Sequence, residues 1–231
     1  MRSGDIVIEA RHLERMFQVG EIELFALKDI NLTIRKGEFV ALMGPSGAGK
    51  STTLNQLALL DRPTGGILRV LGEDVEALSA RKQTVFRLLH LGFVFQNYNL
   101  LPQLTAIENV ILPAMMRGRR KRDAIFEAKC LLDEFDMGHR LHNYPSQLSG
   151  GQQQKVSIAR ALVNKPAILF ADEPTASLDS ESSKVIMDLL RRLNRENEQT
   201  IVLVSHEPEH QKLVDRIIWV EDGVVVDKSY V

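Results

Sequence analysis

Three short stretches carry residue types whose spacing could do chemistry. Gly44-Pro45-Ser46-Gly47-Ala48-Gly49-Lys50-Ser51 has the spacing G-x-x-x-x-G-K-[ST]. In such a loop the glycines let successive backbone N–H groups point inward around phosphate oxygens. Lys50 would neutralise charge on β- and γ-phosphates, and the Ser51 hydroxyl would ligate Mg2+. Thr52 continues the loop into the first turn of a helix, whose positive dipole end suits an anion. With glycine near 7% of average composition, the four fixed positions coincide by chance in roughly one chain of this length in a hundred. The loop therefore reads as a site for a nucleotide.

The second stretch is Ile168-Leu169-Phe170-Ala171-Asp172-Glu173, an apolar run ending in two acids. Ligands of open α/β sheets gather at the carboxyl ends of strands. There Asp172 would hold Mg2+ and Glu173 would orient or deprotonate an attacking water. The third is Leu148-Ser149-Gly150-Gly151-Gln152, which precedes the helical stretch Gln153 to Val163. A serine, two glycines and a helix N-terminus again suit an anion, but this cradle lacks a lysine and metal ligands. Two readings stand on these five residues. One is a helix cap. The other is a composite site, in which residues 44–51 of one copy hold ATP and Ser149-Gly150-Gly151 of another copy cover the γ-phosphate.

Positioning these groups requires an α/β arrangement. Residues 5–10 and 22–34 read as strands, with turns at Gly20 and Lys36-Gly37. Glu38 to Met43 is a short apolar strand that runs into the phosphate loop, and a helix follows from about Lys50 to Leu60, broken by residues 61–66. Strands are expected at 67–71, near 91–95, at 167–171 and at 200–204. The segment from about 105 to 165 reads mostly helical, with helix 123–135 placing Ile125, Ala128, Leu131, Leu132 and Phe135 on one face. Helix 181–195 repeats Val185, Ile186, Leu189, Leu190 and Leu193 at helical spacing, and Asp222-Gly223 closes a C-terminal hairpin. Strands alternating with helices give an α/β sheet with a helical insertion.

Composition fits this plan. The 231 residues are 44% hydrophobic and 26% charged, which excludes disordered and fibrous classes. Lys and Arg number 29 against 30 Asp and Glu, a balance less basic than a general nucleic-acid binder carries. The lone Cys130 excludes an internal disulfide and a multi-cysteine zinc site, and its helical context reads as a small buried thiol. Met1 to Asp5 lacks the apolar stretch of a secretory signal. Leu88 to Ile107 carries no formal charge, yet Gln96, Asn97, Asn99 and Gln103 speak against a membrane span. Within it, Tyr98, Leu100, Leu101, Leu104 and Ile107 fit either core packing or a groove for a partner helix. The run Arg117 to Arg122 fits a solvated turn or, alternatively, contact with anionic lipid or nucleic acid.

The phosphate loop, Leu148 to Gln152 and Asp172-Glu173, in this order, resemble the ATP-binding subunit of ATP-binding cassette (ABC) transporters. The resemblance covers nearly the whole chain. Gly92 to Leu100, Thr105 to Leu112 and Leu148 to Lys155 bring it closest to the lipoprotein-release, macrolide-export and cell-division branch. It implies a P-loop ATPase of ABC type with a mixed central sheet, an N-terminal antiparallel β subdomain and an inserted α-helical subdomain. The whole of 1–231 would be one such domain, with 1–95 and 165–231 as core and β subdomain and about 96–164 as the helical signature subdomain.

The resemblance further implies roles for single residues. Gln96 would link the Mg2+ site to a membrane partner, Ser177-Leu178-Asp179 would be the loop crossing a dimer interface, and His206 would be the switch histidine at the γ-phosphate. Phe17 would stack on adenine. Phe17 stands where tyrosine is usual, Lys155 where arginine is, Glu207 where aspartate is, and Ser177 where asparagine is frequent. None removes a group the chemistry needs. The implied cofactors are ATP and Mg2+. The implied partners are a second copy, head to tail, and integral membrane permease subunits, through which this cytoplasmic chain would sit on the cytoplasmic face of the inner membrane. No stable nucleic-acid partner is expected. A relative that gates extracytoplasmic enzymes without moving solute, and a soluble ABC ATPase acting on nucleic acid or the ribosome, are the competing functions.

Overall fold

A computed structural model of the protein describes residues 5–226. The Met1–Gly4 stretch read for a targeting signal lies outside the described residues. In chain order the elements are β1 (Ile6–Val19), β2 (Ile22–Arg35), β3 (Phe39–Met43), α1 (Lys50–Leu57), β4 (Gly65–Val70), β5 (Glu73–Asp74), α2 (Ala80–His90), β6 (Leu91–Phe95), α3 (Ala106–Met116) and α4 (Lys121–Glu134). They continue with α5 (Gly150–Leu162), β7 (Ile168–Asp172), α6 (Ser180–Asn197), β8 (Thr200–Val204), β9 (Arg216–Glu221) and β10 (Val224–Val226). The chain divides into two compact units, residues 1–84 with 193–231, and residues 85–192.

In the first unit the strand order is β5-β4-β1-β2-β10-β9-β3-β8. β1 pairs antiparallel with β2 and with β4. β3 lies parallel to both β8 and β9, with Leu42 opposite Val204 and Met43 opposite Trp219. β10 is antiparallel to β9 and meets β2 in parallel at Val224 and Asp29. The mixed sheet expected from the sequence is therefore present. All five residues of β3 and of β8 are buried, which is why both read as continuous apolar runs rather than alternating ones. Each fully buried Val, Leu or Ile in them contributes roughly 1.5–3 kcal/mol.

In the second unit β6 and β7 are parallel, with Phe95 opposite Asp172. Helices α3, α4 and α5 supply the core, through Val110, Ala114, Ala124, Ala128, Leu132, Val156 and Ala159, none more than 1% exposed. Small residues on α4 allow close approach of its neighbours. Arg117 and Arg119 of the basic run donate to the Asn164 and Val163 carbonyls at the end of α5 (3.1 and 3.3 Å), and Arg119 also faces Glu127. Two of its cations thus serve the helix packing.

Several sequence expectations change. β1 runs nine residues further than 5–10 and places Phe17 inside a strand. The helix α2 has no counterpart in the sequence reading, because only Gln83 of it is buried and no apolar stripe marks it. Cys130 is exposed, since α4 buries Ala124, Ala128 and Leu132 and turns position 130 to the other side. Val185 is 45% exposed, whereas Ile186, Leu189, Leu190 and Leu193 of the same helix are buried. Among the described residues no helix is long and apolar enough to cross a membrane.

Candidate nucleotide site

The phosphate loop belongs to the first unit. It leaves β3 at Gly44, whose φ is 149°. A Cβ at this position would collide with the carbonyl oxygen of Val220 in β9, so the loop can turn here only because residue 44 is glycine. Pro45, Ser46 and Gly47 are exposed, and Ala48 is buried. Gly223 of the β9–β10 turn donates its N–H to the Ala48 carbonyl at 3.1 Å and accepts from Lys28 N at 2.8 Å. The C-terminal hairpin and β2 therefore buttress the loop. Gly49 is the N-cap of α1, so the helix starts at Lys50 and its first N–H groups open toward the loop. Lys50 is 7% exposed, and its ammonium donates to Gly44 O at 3.0 Å and Pro45 O at 2.7 Å. A positive charge is thereby held on the loop itself. Ser51 is exposed and Thr52 half-buried beside it.

His206 follows β8, the direct neighbour of the strand that feeds this loop; Ser205 N reaches Leu42 O at 3.4 Å. Phe17 sits in β1 opposite Leu24, 37% exposed, with the Arg15 guanidinium carbon 4.3 Å from its ring centre. Arg15 is fixed by Asp61 at 2.7 and 2.9 Å. An aromatic surface with a cation on it is available in this unit for a purine ring.

The remaining sequence candidates lie in the second unit. Because Phe95 pairs with Asp172, Gln96 and Glu173 emerge from the same ends of adjacent parallel strands. Gln96 is exposed, and Asp172 and Glu173 are half-buried. Glu173 has φ 45°, a left-handed conformation that costs a non-glycine residue of order 1–3 kcal/mol and recurs at functional positions. Ser149 is the N-cap of α5: its Oγ accepts from Gln152 N at 3.3 Å, and Gln152 Oε1 accepts from Ser149 N at 3.0 Å. The capping box satisfies both reciprocal donors. A Cβ on Gly150 would lie 2.8 Å from the Tyr98 hydroxyl and 3.1 Å from Leu178 Cδ2, so glycine lets the helix start close to these two loops. Asp179 accepts from Ser182 N at 2.9 Å and Ser182 Oγ at 2.8 Å, bonds that hold its carboxyl below the usual carboxylate range.

Two residues that the sequence reading passed over lock this group together. Gln154 of α5, fully buried, donates to Pro174 O at 2.7 Å and Phe95 O at 3.4 Å, one on each side of the paired strand ends. Arg160 donates to Asn99 O at 2.5 Å and Tyr98 O at 2.8 Å, where two successive residues have positive φ, 57° and 48°. Polar residues are common along this helix (Gln152, Gln153, Lys155 and Ser157 besides these two), so nothing in the sequence singles out Gln154 and Arg160.

Fold and loop together define a P-loop nucleotide-binding protein. The ABC transporter family profile matches residues 27–176, and the chain belongs to that family and is an ABC-type ATPase. An uncharacterised ABC transporter ATP-binding protein of Methanocaldococcus jannaschii is 49% identical over 96% of this chain and 98% of its own length. The lipoprotein-releasing system ATP-binding protein LolD of Zymomonas mobilis is 41% identical, with 96% of each chain covered. The macrolide export ATP-binding/permease protein MacB of Syntrophobacter fumaroxidans is 45% identical over 96% of this chain, which spans 32% of that relative. The solved dimeric, ADP- and Pi-bound cassette MJ0796 superposes with a TM-score of 0.88 at 41% identity, covering 95% of this chain and 97% of that one. These relatives match the lipoprotein-release and macrolide-export branch to which the sequence motifs pointed.

Proposed function

We propose that two copies of this chain close head to tail around two Mg-ATP and, on hydrolysis, reopen to drive integral membrane permease subunits of an export or lipoprotein-release system. The cassette would then sit on the cytoplasmic face of the inner membrane through those subunits. The observation that supports this reading is the presence of two unlike anion cradles in one chain. Gly44–Thr52 is complete and carries Lys50. Ser149–Gln152 is a helix start in the other unit, exposed at Ser149 and half-buried beyond it, with no cation of its own among its residues. A second copy offering its Ser149, Gly150 and Gly151 would complete the first.

On this reading the loop N–H groups and Lys50 bind the phosphates, and Phe17 stacks on adenine. Ser51, Asp172 and Gln96 would hold Mg2+, which would supply positive charge against the negative charge of the phosphates. The donor set fits that ion: a hydroxyl, a carboxylate and an amide are hard oxygen ligands. Glu173 orients the attacking water and takes its proton, His206 contacts the γ-phosphate, and Asp179 contributes at the dimer interface. Replacing Glu173 with Gln should lower turnover by about 100-fold or more, leave ATP binding intact and trap a dimer. A monomer at saturating ATP in that variant, by light scattering, would overturn the composite site.

A further inference from the structure

The two residues that flank His206 share a bonding partner that has no role in the proposed cycle. Ser205 and Glu207 flank His206, and both are tied to the ring of His210, in the middle of a short 3-10 turn (Pro208–Lys212). Ser205 Oγ lies 2.8 Å from His210 Nδ1, and Glu207 Oε2 lies 3.2 Å from His210 Nε2. Glu207 N donates to the same Ser205 Oγ at 3.0 Å. A carboxylate only accepts, so the consistent neutral tautomer carries its proton on Nε2 and accepts the Ser205 hydroxyl proton at Nδ1. Ser205 and His210 are 3% and 4% exposed. The order Ser–His–Glu is that of a hydrolase relay, but so buried a hydroxyl meets no substrate. The arrangement holds a loop.

From this closed ring of bonds we infer that His210 is a positioning residue that fixes the backbone of His206 at the end of β8. Its imidazole is the shared anchor for the residues on both sides of His206. This rests on the proposed ATPase role of His206. A side chain that keeps an acceptor at the Nδ1 position should preserve the anchor, and an apolar one of similar size should release it.

The test uses the full chain, with kcat and KM for Mg-ATP and amide hydrogen exchange at Glu207 N. His210→Leu should lower kcat by about tenfold while KM stays within about twofold, the split expected when a group acting in the transition state is misplaced. His210→Asn should recover most of kcat, and Glu207→Gln should lose less than His210→Leu. In a His206→Ala background His210→Leu should cause little further loss, because a residue acting through His206 is non-additive with it. Glu207 N should exchange faster in His210→Leu than in the unaltered chain. Unchanged Glu207 exchange in His210→Leu overturns the inference whatever the activity. So does an undiminished loss of kcat in the His206→Ala background. Should His210→Leu not fold, unaltered kcat in Ser205→Ala, which removes the hydroxyl shared by His210 and Glu207, overturns it. An unaltered chain that hydrolyses no ATP at all would instead sink the proposed function, while the exchange result would still decide the anchor.

Discussion

At the residue scale, three side chains do work that their neighbours cannot replace. Lys50 is tethered to Gly44 O and Pro45 O, so its charge sits on the loop at no further ordering cost when phosphate arrives. Lys50→Ala should weaken ATP binding by about tenfold or more, the scale of a lost charge-assisted contact, as read by equilibrium titration; undiminished affinity would remove its assigned role. Glu173 sits in a left-handed conformation one residue before Pro174, whose carbonyl accepts from Gln154. His210 makes a separate prediction about pH. Burial holds its imidazole below the ordinary histidine range, against the raising pull of Glu207 and Glu209, with His206 adding a lowering contribution. Above the unfolded-state pKa of about 6.5 both states are neutral. Below it the unfolded chain takes a proton that the folded ring resists, so the unfolded state binds more protons and stability falls with pH. Tm should therefore drop between about pH 7.5 and about pH 5.5, and His210→Asn should flatten part of that drop; identical pH dependence in the two chains would count against this titration.

At the element scale, α5 is the component on which the second unit depends. Its first turn is the Ser149 capping box, its fifth residue Gln154 binds the exits of β6 and β7, and Arg160 binds the loop after β6. Gln154→Met would leave two carbonyls without their donor, a loss of about 2 kcal/mol, visible as a lower denaturation midpoint. The Ser149 position separates the two readings of its motif. Aspartate caps a helix about as well as serine, yet its charge would repel a γ-phosphate. Ser149→Asp should keep thermal stability and lose ATP hydrolysis; retained hydrolysis would leave Ser149 as a cap only. In α3, the buried Asn109 accepts from Leu101 N and donates to Leu101 O, Leu104 O and Thr105 O. It shapes the segment after Gln96, where Ile107 is buried and Leu101 is 43% exposed. That division answers the sequence question part-way: the segment is neither wholly core nor wholly open surface.

At the scale of the whole molecule, the proposed engine is a pair of chains. On the proposed reading each copy lends its Ser149 helix start to the phosphate loop of the other. Specific ATPase activity should then fall on dilution, steeply once the concentration drops below the dimer dissociation constant, as mass action requires. A specific activity independent of concentration would show a chain that works singly.

The phosphate loop was legible in the sequence because its chemistry is local: glycine conformations, one lysine and one serine act through consecutive backbone groups. The same holds for the acids after an apolar strand and for the Ser149 cap, whose partners lie within three residues. Strands β3 and β8 were legible because burial on both faces leaves an unbroken apolar run. Helix α2 was not, since burial of one glutamine leaves no period to read. Cys130 was misread because helical spacing gives a face but not which side of that face the neighbours cover. What only the tertiary structure decided are contacts between residues far apart in the chain. Val220 and Gly223 against the phosphate loop, and Gln154 across two strand ends, depend on strand order and register, which residue types along the chain do not encode one position at a time. The His210 anchor is near in sequence, but it needed burial and geometry to distinguish a bonded imidazole from an idle one.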